Sequence, residues 1–157
     1  MNTVATRRSP YSTGLAEMAA GELDELFGEA PAGEIPIGRG FGTALIAPGT
    51  RFGRAMATVA RLLYWQGKEF DPSTRTLRNL ITPFGVRAIT ASVYEDRSWH
   101  DSGPCIVLDY SKTSRVAHWV RDEIREVEPG VYLGLVFWGR RRLPVRFTLV
   151  FGDRRQA

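Results

Sequence analysis

"CIVLDYSKTSRVAHWVRDEIREV", from Cys105 to Val127, sets Asp109, Tyr110, His118, Asp122 and Glu123 among aliphatic side chains. Carboxylate, phenol and imidazole can each move a proton or hold charge. A carboxylate drawn into apolar surroundings has its pKa raised by desolvation or held down by a nearby arginine, and either state suits acid/base chemistry. Read as a strand, "CIVLDY" places Cys105, Val107 and Asp109 on one face and Ile106, Leu108 and Tyr110 on the other. Either Asp109 or Tyr110 must then share a face with aliphatic neighbours, at the wall of an apolar space. His118 follows in "RVAHWVR"; its imidazole suits proton transfer near neutrality, although a histidine in such a segment is more often structural. Asp109, Tyr110 and His118 are the candidate acid/base residues.

In "VRDEIREV" a strand puts Arg121, Glu123, Arg125 and Val127 on one face and Asp122, Ile124 and Glu126 on the other. One account is cross-strand ion pairing on a solvated face, with most of the charges outward. The other turns Arg121 or Arg125 inward to anchor a ligand carboxylate. The aromatic residues Trp65, Phe84, Trp99, Trp119, Tyr132, Phe137 and Trp138 are numerous for a chain of 157 residues. Most must be core, while a few can line a pocket for a flat or lipophilic ligand. The candidate ligand-binding set is Trp65, Lys68, Arg121, Arg125, Tyr132 and Trp138.

Other chemistries lack their signatures. "GRGFGTALIAPGTRFGR" has neither the spacing of a P-loop nor that of a dinucleotide fingerprint, and its glycines read as bends at a barrel corner. His100 and His118, the two histidines of the chain, form no metal-binding motif. Cys105 heads an apolar run like a core residue, and no serine sits in a G-x-S-x-G elbow. No metal and no cofactor is expected.

These groups need a frame. The length fits one domain, and 43% hydrophobic with 24% charged residues describes a globular chain without an apolar run long enough to cross a bilayer. "MNTVATRRSPYSTG" is followed by no hydrophobic leader, and one cysteine permits no internal disulfide, so a cytoplasmic location is expected. The net charge of +4 comes from 21 basic against 17 acidic residues, with arginines gathered in "TRRS", "GRRRLPVR" and "GDRRQA". No helix carries a continuous basic face, so nucleic acid is a minor prospect. Oligomeric state is not legible.

Residues 1–13 read as a flexible tail and 14–157 as one domain. "GLAEMAAGELDELF" spaces Leu15, Met18, Ala19, Leu23, Leu26 and Phe27 as the stripe of one amphipathic helix. A short strand in "GTALIAPGT" precedes a second helix in "RFGRAMATVARLLYW". Beyond Gln66, segments rich in β-branched and aromatic residues are punctuated by "PFG", "DSGP", "EPG" and "GRRR", as consecutive antiparallel strands would be. In the last one Leu143, Val145, Phe147, Leu149 and Phe151 share a core face, and Arg146 and Thr148 a solvent face. The economical closure is a small antiparallel β-barrel without open edges.

The segment "ELFGEAPAGEIPIGRGFGTALIAPGTRFGRAMATVARLLYWQGKEFDP" resembles the opening of the bacterial GXWXG-domain proteins, a lipocalin-like group. Trp65, Gly67, Lys68 and Phe70 match its W-x-G-K-x-F strand, and "VRDEIREVEPGVYLGLVFWG" its charged strand, turn and "LG" strand. Gly38, Arg39, Gly40, Phe41 and Gly42 keep the glycine spacing, with glycine where that group has tryptophan. The resemblance spans roughly residues 22 to 138. It implies a mainly β, lipocalin-like barrel around a hydrophobic cavity and no established reaction. The function expected is binding of a small hydrophobic molecule, with cofactor-independent cyclase, isomerase or lyase chemistry by the acid/base residues. The alternatives are a non-catalytic carrier of a fatty-acid-like or isoprenoid ligand, and a basic adaptor for nucleic acid or protein.

Overall fold

A computed structural model describes residues 10–46, 65–81, 89–115 and 117–152. Among the described residues the strands are β1 (Gly38–Ile46), β2 (Trp65–Asp71), β3 (Thr76–Ile81), β4 (Thr90–Arg97), β5 (Pro104–Asp109), β6 (Val120–Glu128), β7 (Val131–Trp138) and β8 (Arg141–Phe151). Each pairs antiparallel with the next, and β8 returns to β1 to close a barrel of the lipocalin-like kind. Turn chemistry sets the reversals. Asp71 accepts the Ser73 N–H (2.9 Å) between β2 and β3, and Gly130, at φ 78°, takes the left-handed position between β6 and β7. Gly134 on β7 is needed for another reason: the Phe147 ring lies where a Cβ would stand, 2.2 Å away.

Period-two alternation divides the apolar residues into two clusters. Inside the barrel, Phe70, Leu77, Ile106, Leu108, Ile124 and Phe147 belong to one. Outside it, Leu133, Leu135 and Phe137 of β7 pack with Leu15, Leu23 and Phe27 from the N-terminal helices. The second cluster corrects the expectation for β8. Phe147 and Leu149 face the core as the alternation requires, but Arg146 and Thr148 are buried too. A helix covers them, and its Asp24 receives Arg146 through two hydrogen bonds of 2.8 and 2.9 Å.

That cover is two helices rather than one. α1 (Pro10–Glu17) and α2 (Ala20–Glu29) are separated at Ala19, whose backbone is extended (φ −66°, ψ 154°) and whose N–H bonds the Glu22 carboxylate at 3.3 Å. The break lets Leu15 and the Leu23/Phe27 pair reach the same sheet, which outweighs alanine's preference for helix. α1 also begins at Pro10, inside the stretch expected as a tail. The second helix expected after β1 falls on residues outside those described, as does Phe84.

The two barrel ends differ. At one, the turns 72–75, 98–103 and 129–130 are short, and the segment after α2 crosses the opening. There Glu126 donates its N–H to Ala32 O (3.3 Å), the Tyr132 hydroxyl donates to Glu34 O, and Ile35 packs on the interior cluster. At the other end the strands are joined through 47–64, 82–89, 110–119 and 139–140. Of the described helices, none is long and apolar enough to cross a membrane.

Candidate functional site

Four polar side chains meet inside the barrel, toward the end with the longer connections. Lys68 on β2, Asn79 on β3 and Asp122 on β6 occupy inward positions of their strands, and Tyr110 follows β5 in phase with Ile106 and Leu108. All four are buried. The Lys68 ammonium donates to Asn79 Oδ1 (2.7 Å), to the Tyr110 oxygen (2.7 Å) and to Asp122 Oδ2 (3.1 Å). Asn79 Nδ2 donates to the Tyr110 oxygen (2.9 Å) and to Ile89 O (3.1 Å), and the Tyr110 hydroxyl reaches Asp122 Oδ2 at 3.4 Å. Lys68 Nζ also lies 5.2 Å from the centroid of the Phe147 ring.

Burial works against every charge here. It pushes Lys68 down, but the neighbouring Tyr110 and Asp122 outweigh it and hold the ammonium above its ordinary value. Burial raises Tyr110, against the pull of Lys68. It also raises Asp122, and Lys68 offsets that only in part. Three acceptors around one nitrogen favour the ammonium, so Lys68 is the cation and Asp122 the carboxylate. An ammonium so held is no amine nucleophile; it supplies fixed positive charge beside a phenol.

Of the expected acid/base residues, only Tyr110 enters this cluster. Asp109 points to the other side of the wall, where Oδ2 accepts the Tyr94 hydroxyl (2.8 Å) and Oδ1 the Ser111 N–H (2.9 Å). Burial would raise its pKa, but these bonds and Arg121 together lower it, while Tyr94 is pushed up to about 12, by burial first and then by Asp109. His118 is exposed, with Nδ1 2.9 Å from Arg115 O and its ring against Trp119. Asp109 and His118 border an external groove of ≈ 480 Å³ with Trp99, Trp119 and Arg140. They do not converge with Tyr110.

The ligand-binding set divides in the same way. Lys68 lies at the centre of the cluster, and Tyr132 faces inward with its ring 5.5 Å from that of Phe151. Trp138 is half exposed (50%) at the rim, and the Trp65 side chain lies outside the described residues. Arg121 and Arg125 do not turn inward, because strand phase gives that face to Asp122 and Ile124. Nor is their own face solvated. Arg121 pairs with Glu123 (3.0 Å), donates to Arg97 O (2.9 Å) and stacks over Trp99 at 4.1 Å. Arg125 holds both oxygens of Asp101 (2.7 and 2.6 Å), Phe27 O (2.8 Å) and Pro104 O (3.0 Å). Glu123, fully buried, accepts from the Ser98 hydroxyl and the Trp99 N–H.

Sequence reasoning singled out neither Asn79 nor Asp122 as a site residue. The available signal was phase: Asp122 shares its face with Ile124, and Asn79 shares one with Leu77. Cys105 is buried, and burial pushes its thiol up to about 12, so it carries no thiolate at neutral pH. Among the described residues no group of three His, Cys, Asp or Glu is placed to hold a metal ion.

No family model and no curated protein matches the sequence. Among solved structures, the chain is similar to a protein from Thermomonospora curvata, with 15% identity, a TM-score of 0.62, and coverage of 91% of this chain and 95% of that one. At that identity the likeness is one of fold.

Proposed function

We propose that the barrel binds a small, mostly apolar molecule in its interior and turns one polar group of it toward Lys68, Asn79, Tyr110 and Asp122. The observation behind this is an ammonium and a carboxylate, 3.1 Å apart and nearly inaccessible, inside a barrel otherwise lined by Leu, Ile, Val and aromatic residues. An interior filled only for stability does better with apolar residues of similar volume, since each buried ion costs several kcal/mol of desolvation. Orienting a ligand's polar group is a use that offsets the cost. The resemblance to the GXWXG-domain group supports the same reading, because the lysine of its W-x-G-K-x-F strand is the cluster's cation.

The catalytic form of this reading is cofactor-independent. Tyr110, beside a fixed cation and hydrogen-bonded to a carboxylate, can lend its proton to a substrate oxygen and recover it, as cyclisation or isomerisation requires. The non-catalytic form is a carrier with the same pocket. The adaptor reading has less to work with: Arg121, Arg125, Arg142 and Arg146 are all engaged by Glu123, Asp101 or Asp24.

Titration with N-phenylnaphthylamine, a neutral apolar fluorophore, tests the common premise. Saturable enhancement near one equivalent is expected, abolished by Leu108→Phe, which fills the interior, with the fold retained by circular dichroism. Enhancement that never saturates, or that Leu108→Phe leaves unchanged, contradicts interior binding.

A further inference from the structure

We infer that the ligand's polar group is an uncharged hydrogen-bond donor, a hydroxyl, received by Asp122 Oδ1; the inference rests on the interior binding proposed above and narrows its ligand class to apolar alcohols. The argument is a count of donors and acceptors. The three ammonium protons of Lys68 go to Asn79 Oδ1, the Tyr110 oxygen and Asp122 Oδ2. Both amide protons of Asn79 are used, on Tyr110 and on Ile89 O. The Tyr110 proton points to Asp122 Oδ2. Every donor in the cluster is therefore engaged.

The acceptors are not. Asp122 receives both of its hydrogen bonds on Oδ2, and Oδ1 has no partner among the described residues, in a side chain only 6% exposed and on the inward face of β6. A carboxylate oxygen on the inner wall with no donor from the described residues can accept one from a ligand. Charge selects which one. Lys68 and Asp122 together are neutral, so a ligand carboxylate would meet a carboxylate with no free proton to bind it. A ligand ammonium would be set beside the Lys68 ammonium. A hydroxyl donates into Oδ1 and brings no charge to compensate. A hydrogen bond to a charged acceptor corresponds to about tenfold to a hundredfold in affinity.

The test uses dodecanol, dodecyl methyl ether, dodecanoate and dodecylamine as competitors for N-phenylnaphthylamine bound to the full chain. Dodecanol is expected to displace the probe at about one tenth or less of the concentration needed for the other three. Asp122→Asn should cut the advantage of the alcohol over the ether to under about threefold while leaving the ether's own affinity in place. Tyr110→Phe, which removes a donor and keeps Oδ1, should preserve the preference, so the inference does not depend on one variant folding. An ether as effective as the alcohol overturns the inference and leaves interior binding standing. So does a carboxylate or amine that competes better than the alcohol. If the probe binds and none of the four displaces it, apolar alcohols are excluded as the ligand class, and if the probe does not bind, both readings fall together.

Discussion

Two groups of buried charge stand on opposite sides of one barrel wall, and they distribute their hydrogen bonds differently. Outside, under α2 and the 98–103 turn, Arg121 and Arg125 reach the carbonyl oxygens of Arg97, Phe27 and Pro104 as well as their carboxylates. Inside, among the described residues, Lys68, Asn79, Tyr110 and Asp122 bond to one another, and Asn79 also to the backbone at Ile89 O. Charges that tie separate backbone segments together hold the fold. Charges on the inward face of the strands stand where a molecule inside the barrel would meet them. Burial alone does not separate the two cases, because Arg125 and Lys68 are about equally inaccessible (2% and 3%).

The contrast is broken most forcefully at Arg125. Arg125→Met removes a guanidinium that joins α2, the β5 entrance and Asp101, and takes one donor from each of Pro104 O and Phe27 O, the latter keeping the Ala30 N–H. A loss of about 3–5 kcal/mol in unfolding free energy is expected, read by urea denaturation. Probe binding by the fraction that remains folded should be unaffected.

The interior pair should behave otherwise. Lys68→Met strands Asp122 in an apolar space, at a cost of about 3 kcal/mol that shrinks as pH falls, because burial already raises the Asp122 pKa and a proton relieves the charge. Adding Asp122→Leu should restore stability to within about 1 kcal/mol of the native protein. It should also abolish the preference for an alcohol over its ether. A double variant as unstable as the single one would place the interior pair with the structural charges and dissolve the comparison.

Asp101 offers a finer probe of the outer group. The Arg125 hydrogen bonds, against a smaller opposing effect of burial, lower its pKa from 3.8 to about 2. A depressed carboxylate contributes stability above its unfolded value, and that contribution is lost as pH falls through the folded one. The stability gap between the native protein and Asp101→Asn should therefore be constant from pH 5 to 8 and close between about pH 4 and 2. Since Asp101 is partly solvated, the gap should be smaller than the loss at Arg125 and should narrow further in salt.

How far the sequence discloses this arrangement depends on which face is considered. The inward face follows from period two: Phe147 and Leu149 in β8, and Ile106, Leu108 and Tyr110 in and after β5, lie where alternation puts them. The outward face does not, because its cover comes from outside its own strand: α2, 98 positions away at the Phe27–Arg125 contact, and the 98–103 turn. "RDEIRE" has the pattern of a solvated strand until Phe27 is laid over Arg125 at 4.4 Å. Asn79 and Asp122 were hidden for the opposite reason. Asn79 follows Leu77 and Asp122 precedes Ile124 in an inward row, and only the closure of β2, β3 and β6 around one interior brings them to Lys68.

The smallest effects are expected where the sequence pointed most directly. Asp109 and His118 look like partners of Tyr110, being one and eight residues from it. Strand phase puts the Asp109 carboxylate outside the wall, and His118 lies in the exposed connection before β6. Asp109→Asn keeps an acceptor for the Tyr94 hydroxyl and the Ser111 N–H, so it should cost about 1 kcal/mol or less. His118→Gln replaces an exposed ring whose hydrogen bond is to the nearby Arg115 carbonyl, and should change stability by no more than about 0.5 kcal/mol. Neither should alter the competition of dodecanol with the interior probe, because neither side chain reaches the interior. An Asp109→Asn protein that loses the alcohol preference while keeping its melting temperature would mean that ligand is held in the external groove of Asp109, His118, Trp99 and Trp119, and the division between a structural outside and a binding inside would have to be reversed.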